Sequence, residues 1–336
     1  MPERTITRHT TAGGAKIYRI PVTVFPHLEA NVYVVVAGDY AALVDTGSGL
    51  GESDAHLRAG MEALREAWGE RVGWADLRRI VVTHGHVDHY GGLGLVRSLS
   101  GAPLAVHELD RRVLTNHDER VVLAGRALAG FLRRAGLPEQ RVAELMQMHG
   151  WSKGMFRPVE VASVLRDGDL LDGLLRVHHT PGHCPGQVCL MLDDVLLTAD
   201  HVLPGNALFI SPESITASTG LDHYLQALRT VAALPGVRLA LPGHGEPIDD
   251  MYAAVERIAA YQLRRVEQVR ELCGEPRTIA ELTAAMYPGI GGYDALLALQ
   301  KAGAYVEYLD QRGELAVANL SEVAADESTP PRYIRL

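Results

Sequence analysis

Residues Val81–Gly92 read VVTHGHVDHYGG, which places His84, His86, Asp88 and His89 within six positions. The run that leads in, RRIVVTH, is short, apolar and β-branched, so it reads as a strand ending at the cluster. A lone buried histidine is ordinarily a satisfied core residue. Four side chains able to ligate a metal in one tight turn demand a common purpose, and they direct attention to where further ligands lie.

Those ligands recur at the ends of other short apolar runs. LLRVHHTPGHCPG carries His183 into a Pro/Gly-rich loop, VLLTADH ends on Asp200, and VRLALPGHGEP carries His244. Strand ends fix the backbone, and glycines let several loops crowd around one point. Five histidines and two aspartates suffice for two divalent ions. Three histidines and a bridging carboxylate serve one; two histidines, a terminal aspartate and the same carboxylate serve the other, each with room left for water. Two such ions about 3.5–4 Å apart can share a hydroxide and stabilise charge on an attacked group. Nitrogen and oxygen ligands suit zinc, and also manganese, iron or cobalt.

Composition narrows the setting. The 336 residues suffice for one large and one small domain, and the formal charge of −9 disfavours nucleic acid or an anionic membrane surface as partner. No apolar run is long enough to span a bilayer, and the polar N-terminal stretch lacks the apolar core of a signal peptide. The three cysteines, Cys184, Cys189 and Cys273, show no CxxC spacing. They suit a reducing cytoplasm rather than a disulfide framework.

Along the chain, VYVVV (Val32–Val36) and AALVD (Ala41–Asp45) flank a turn and predict a hairpin, which Asn31 is expected to support. Apolar spacings of three and four predict a helical insert at about 108–160, broken at Gly136-Leu137-Pro138. Strands resume at Leu174–Thr180, Gln187–Leu192 and Val195–Ala199, followed by a helix at Leu221–Leu234 and a strand ending at Pro242. After Asp249 the pattern is helical, then TIAELTAAMYP, a helix around Asp294–Gly303, and a β-like end from Ala304 to Leu320. This gives three segments: 1–255, 256–325, and a loosely ordered tail at 326–336.

HxHxDH at His84–His89, PGH ending at His183, ADH around Asp200, PGHG around His244 and LVDTG at Leu43–Gly47 together resemble the metallo-β-lactamase superfamily, over roughly Ile17–Asp249. The resemblance implies an α+β fold, an αββα sandwich with the metals at one edge between two sheets. It implies His84, His86 and His183 on a first ion, Asp88, His89 and His244 on a second, and Asp200 bridging. Members that destroy antibiotics include a major class with a cysteine near the position of Asp200 and no ligand like His89. This chain instead has the set shared by glyoxalase II, ribonuclease Z and acyl-homoserine lactonases. The C-terminal helix–helix–helix–wing pattern resembles a winged-helix extension. Between Arg265 and Leu320 it carries five basic residues against eight acidic ones, so it predicts a structural or dimer-forming role rather than nucleic-acid binding.

The function expected is therefore that of a metal-dependent hydrolase with two ions, zinc foremost and manganese or iron as alternatives. Asp88 and Asp200 are its catalytic carboxylates, and its substrate is a small ester, thioester or lactone. Phosphodiester hydrolysis and mononuclear iron persulfide oxidation are the competing readings. Asp45 reads either as an orienting partner of a ligand or as simple turn chemistry. His201 is a candidate to approach substrate or to back a ligand. Trp151, Met155 and Phe156 are candidates for an apolar wall, should the insert act as a lid.

Overall fold

In the computed structural model, residues 5–153, 156–205 and 208–336 are described. The chain begins with β1 (Thr7–Thr10), β2 (Lys16–Phe25), β3 (Leu28–Ala37) and β4 (Tyr40–Val44). Helix α1 (Ser53–Glu66) leads to β5 (Arg79–Val82), followed by α2 (Val87–Tyr90), α3 (Leu93–Leu99) and β6 (Leu104–His107). The insert comprises α4 (Arg111–Thr115), α5 (His117–Arg134) and α6 (Glu139–Lys153), and β7 (Ser163–Leu165) follows it. Next come β8 (Leu170–Leu171), β9 (Leu175–His179), β10 (Val188–Leu192), β11 (Val195–Ala199), α7 (Leu221–Ala232) and β12 (Leu239–Pro242). The chain closes with α8 (Met251–Leu272), α9 (Ile279–Met286), α10 (Gly292–Asp310), β13 (Leu315–Val317), α11 (Leu320–Ala325) and β14 (Tyr333–Arg335).

Strands β1 to β7 form one sheet in chain order, and β12-β11-β10-β9-β8 form a second. Both faces of each sheet are covered, so the strands read as continuous apolar runs rather than alternating ones. Period-two alternation survives in where the side chains go. Val81 and Tyr33 enter the core between the sheets, while Ile80, Val82 and Val34 enter the core under α1 and α3. On the second sheet, Leu190 and Leu197 face inward and Cys189 and Leu196 face the helices. The result is the expected helix–sheet–sheet–helix sandwich.

Direction of travel gathers the site. Strands β4, β5 and β6 are parallel to one another. In the second sheet β11 and β12 are parallel, and β9 is antiparallel to β10, which is itself antiparallel to β11. Strands β9, β11 and β12 therefore point the same way. Asp45, the His84–His89 turn, His183, Asp200 and His244 all follow the C-terminal ends of β4, β5, β9, β11 and β12.

The polar N-terminal stretch holds β1 and the start of β2, paired antiparallel from Thr7 opposite Arg19 to Thr10 opposite Lys16. Two expectations change. Residues Ala304–Asp310 are helical, because Tyr305 and Val306 are buried on one side of α10 and the Tyr305 hydroxyl donates to Gln262 of α8 at 2.7 Å. The tail is ordered: β14 pairs with β13, and Tyr333 and Arg277 exchange backbone hydrogen bonds of 2.7 and 3.0 Å. The C-terminal helices pack against the rest of the chain. Leu282, Leu296 and Leu309 join Phe131 and Leu132 of the insert and Tyr224 of α7 in one cluster. The insert is docked on these helices, with Ala280 N–H donating to the Ala135 carbonyl at 2.8 Å.

Candidate metal centre

Among the described residues, three sets of side chains bring potential ligand atoms within 4.8 Å of one another: His84, His86 and His183; His84, His89 and Asp200; and Asp88, His89 and His244. All seven residues singled out in the sequence are in these sets. His86 Nδ1 lies 3.1 Å from His84 Nε2 and 2.9 Å from His183 Nε2. His244 Nε2 lies 3.3 Å from Asp88 Oδ2 and 3.4 Å from Asp200 Oδ2.

The outward-facing ring nitrogens set the tautomers. His89 Nδ1 donates to Asp45 Oδ2 at 2.8 Å, His183 Nδ1 to the Phe209 carbonyl at 2.7 Å, and His244 Nδ1 to the Glu29 carbonyl at 2.6 Å. The Thr83 hydroxyl donates to Asp45 Oδ2 at 2.8 Å, so its oxygen accepts from His84 Nδ1 at 3.1 Å. In four histidines Nδ1 is thus committed outward, and Nε2 is turned toward the centre. A partner on the second nitrogen is what a ligating imidazole requires. His89 Nε2 and Asp200 Oδ1 face each other at 3.3 Å, both buried and neither in hydrogen-bond geometry with any described residue. Unsatisfied atoms in so dry a place are costly, and a cation between them removes that cost. The donor set therefore fits a metal.

Electrostatics agree. Burial pushes His84 well below its usual range, and the neighbouring His89 and His86 add to the push. Burial acts the same way on His89, but the charges of Asp200, Asp45 and Asp88 outweigh it and hold His89 well above that range. Burial likewise opposes His244, which Asp200 and Asp88 raise to about 10. Asp200, despite burial, is held far below the carboxylate range by His244 and His89. Carboxylates crowded into one buried place demand positive charge there, and a divalent ion supplies it while leaving the imidazoles neutral.

The loops are held by backbone as well as by side chains. Thr46 N–H donates to the His89 carbonyl at 2.7 Å and Gly92 N–H to the Gly47 carbonyl at 3.0 Å, which packs α2 on the Asp45 loop. A β-carbon on Gly92 would lie 2.0 Å from the Thr46 carbonyl oxygen, so this close approach requires glycine.

Of the more loosely indicated residues, Asp45 orients His89 and also accepts from Thr83 N–H at 2.8 Å. His201 is fully buried, with its ring edge-on to Tyr224 at 5.2 Å. Phe156 is buried against Tyr90 and His117, at ring separations of 5.6 and 6.0 Å. Met155 and the Trp151 side chain lie outside the described residues.

Asn31 supports a different loop from the one expected, and besides Thr83, adjacent to His84, two remote residues were overlooked. Asn31 supports the His244 loop more than its own hairpin: its amide donates to the Pro242 and Gly245 carbonyls at 2.9 and 2.8 Å. Its Oδ1 accepts from Arg19 Nε at 2.9 Å, and Arg19, the first of the overlooked residues, in turn pairs with Glu246. The second is Asp110, at the start of α4. No short-range pattern marks either Arg19 or Asp110, because their partners lie far along the chain.

A family model described as the metallo-beta-lactamase superfamily matches residues 26–244. The chain is 25% identical over 304 residues to the probable metallo-hydrolase YqjP of Bacillus subtilis, covering 87% of this chain and 91% of that one. It is 31% identical over 226 residues to the human acyl-coenzyme A thioesterase MBLAC2, covering 64% and 72% respectively. A crystal structure of the metallo-beta-lactamase family protein TTHA1429 from Thermus thermophilus superposes with a TM-score of 0.76 at 28% identity, covering 95% of this chain and 98% of the other.

Proposed function

The chain belongs to the metallo-beta-lactamase superfamily and is a metal-dependent hydrolase, and from that premise we propose that it uses two ions to hydrolyse a small acyl ester, with thioesters the first candidates. The observation that carries this reading is the convergence of seven ligand-type side chains with their outward nitrogens already committed. His84, His86 and His183 would hold one ion, Asp88, His89 and His244 the other, and Asp200 would serve both. Zinc is the first choice for this donor set, with manganese or iron next. When bound, the ions supply an acidified water and an electrophilic pull on the attacked carbonyl.

The chain's own residues do the rest. Asp45, Thr83 and the Phe209 and Glu29 carbonyls fix the imidazoles, so little reorganisation accompanies the reaction. Asp88 is half-buried, and its carboxylate is kept ionised by His89 and His244. It would orient the attacking water and accept its proton. The thioester preference rests on the likeness to the human acyl-coenzyme A thioesterase. The charge of −9 favours a small-molecule substrate over nucleic acid.

The test is a panel run on metal-reconstituted protein: acyl thioesters, lactones, aryl esters, phosphodiesters and glutathione persulfide. Thioester turnover at least tenfold above the other classes is expected. Turnover confined to phosphodiesters, or oxygen uptake with the persulfide, would replace the proposal.

A further inference from the structure

We propose that Asp110 is a positioning residue for the three-histidine half of the centre, acting as a clamp that holds the His84–His86 turn and the His183 loop in register. The proposal rests on the two-ion reading above and adds to it. Asp110 is fully buried. Its Oδ2 accepts from Gly85 N–H at 2.7 Å, and Gly85 is the residue between His84 and His86. The same oxygen accepts from the Cys184 thiol at 3.2 Å, immediately after His183, and Oδ1 accepts from Gly186 N–H at 3.0 Å. One carboxylate therefore ties together a loop after β5 of the first sheet and a loop after β9 of the second.

The placement is informative because Asp110 occupies the N-cap position of α4. Aspartate there ordinarily bonds the free N–H groups of its own helix. Here the side chain makes no such bond and spends its acceptors on the two ligand loops. The other half of the centre is anchored elsewhere: His89 by Asp45, and His244 by the Glu29 carbonyl and Asn31. That asymmetry separates a positioning role from a merely structural one. Loss of a general prop would weaken both halves alike, whereas loss of this clamp weakens one.

The experiment is a Co²⁺ titration of the metal-free full-length chain, followed by its visible absorption. Asp110→Asn places an amide NH₂ against a backbone N–H and breaks one arm of the clamp. It is measured in two backgrounds: His244→Ala, which leaves the three-histidine half, and His86→Ala, which leaves the other. Removing groups that orient metal ligands typically costs ten- to a hundredfold in affinity. We expect a loss of about that size in the first background and less than about threefold in the second. A loss in the first background that is not at least threefold greater than in the second overturns the proposal. If Asp110→Asn does not accumulate as folded protein, Gly186→Ala replaces it, since its β-carbon would lie 2.6 Å from Asp110 Cγ and would displace the carboxylate from that side. The same ratio is then read. Unsubstituted protein that binds fewer than two Co²⁺ counts against the two-ion reading itself, whereas two-ion binding with equal losses counts against Asp110 alone.

Discussion

At Asp45 the backbone takes φ 63°, a left-handed conformation that aspartate tolerates better than most residues. It turns the carboxylate back onto Thr83 and His89, where it meets three donors. Asp45→Ala should lower metal affinity ten- to a hundredfold in a chelator competition. Unchanged affinity would reduce Asp45 to turn chemistry. A second residue-scale prediction concerns His107, which is buried and stacked on His179 at 4.0 Å. Burial, and then the neighbouring His179, lower its pKa to about 4. The unfolded chain therefore binds this proton more readily between pH 6.5 and 4, and stability falls as pH falls through that window. At pH 5 the loss is about 2 kcal/mol. His107→Phe, which keeps a flat ring on His179, should flatten this part of a urea-midpoint profile against pH. A profile as steep as the parent's would place the titration elsewhere.

At the scale of elements, short α2 matters because it carries Asp88 and His89 and is pressed on the Asp45 loop. Gly92 permits that approach. Gly92→Ala should destabilise the fold by roughly 2–3 kcal/mol, as overpacking does in a tight core, and should also reduce metal retention. A wild-type urea midpoint would mean that the two loops yield freely. The same scale explains where sequence patterns misled. Tyr305 and Val306 favour strands in isolation, yet in α10 their burial against α8 outweighs that preference. The tail looked unstructured because its pairing partners, β13 and Arg277, lie far away in sequence.

At the scale of the molecule, the architecture gathers ligands from both sheets at one edge. The side chains that converge were legible, because HxHxDH is local and each remaining candidate ligand is flagged by a strand end and a Gly/Pro turn. Their support was not. Asn31 reaches Pro242, Asp110 reaches Gly186, and the Phe209 carbonyl serves His183, all contacts that only the assembled sandwich creates. The sharing of one core by the insert and the C-terminal helices was hidden for the same reason, since each helix advertises an apolar face without naming its partner. Whether these loops build a two-ion centre is decided by elemental analysis of the chain after reconstitution and removal of loosely held metal. Close to two transition-metal ions per chain are expected, falling when Asp200 is replaced by alanine. A stable content of one ion, unchanged on adding zinc or manganese, would contradict the two-ion reading.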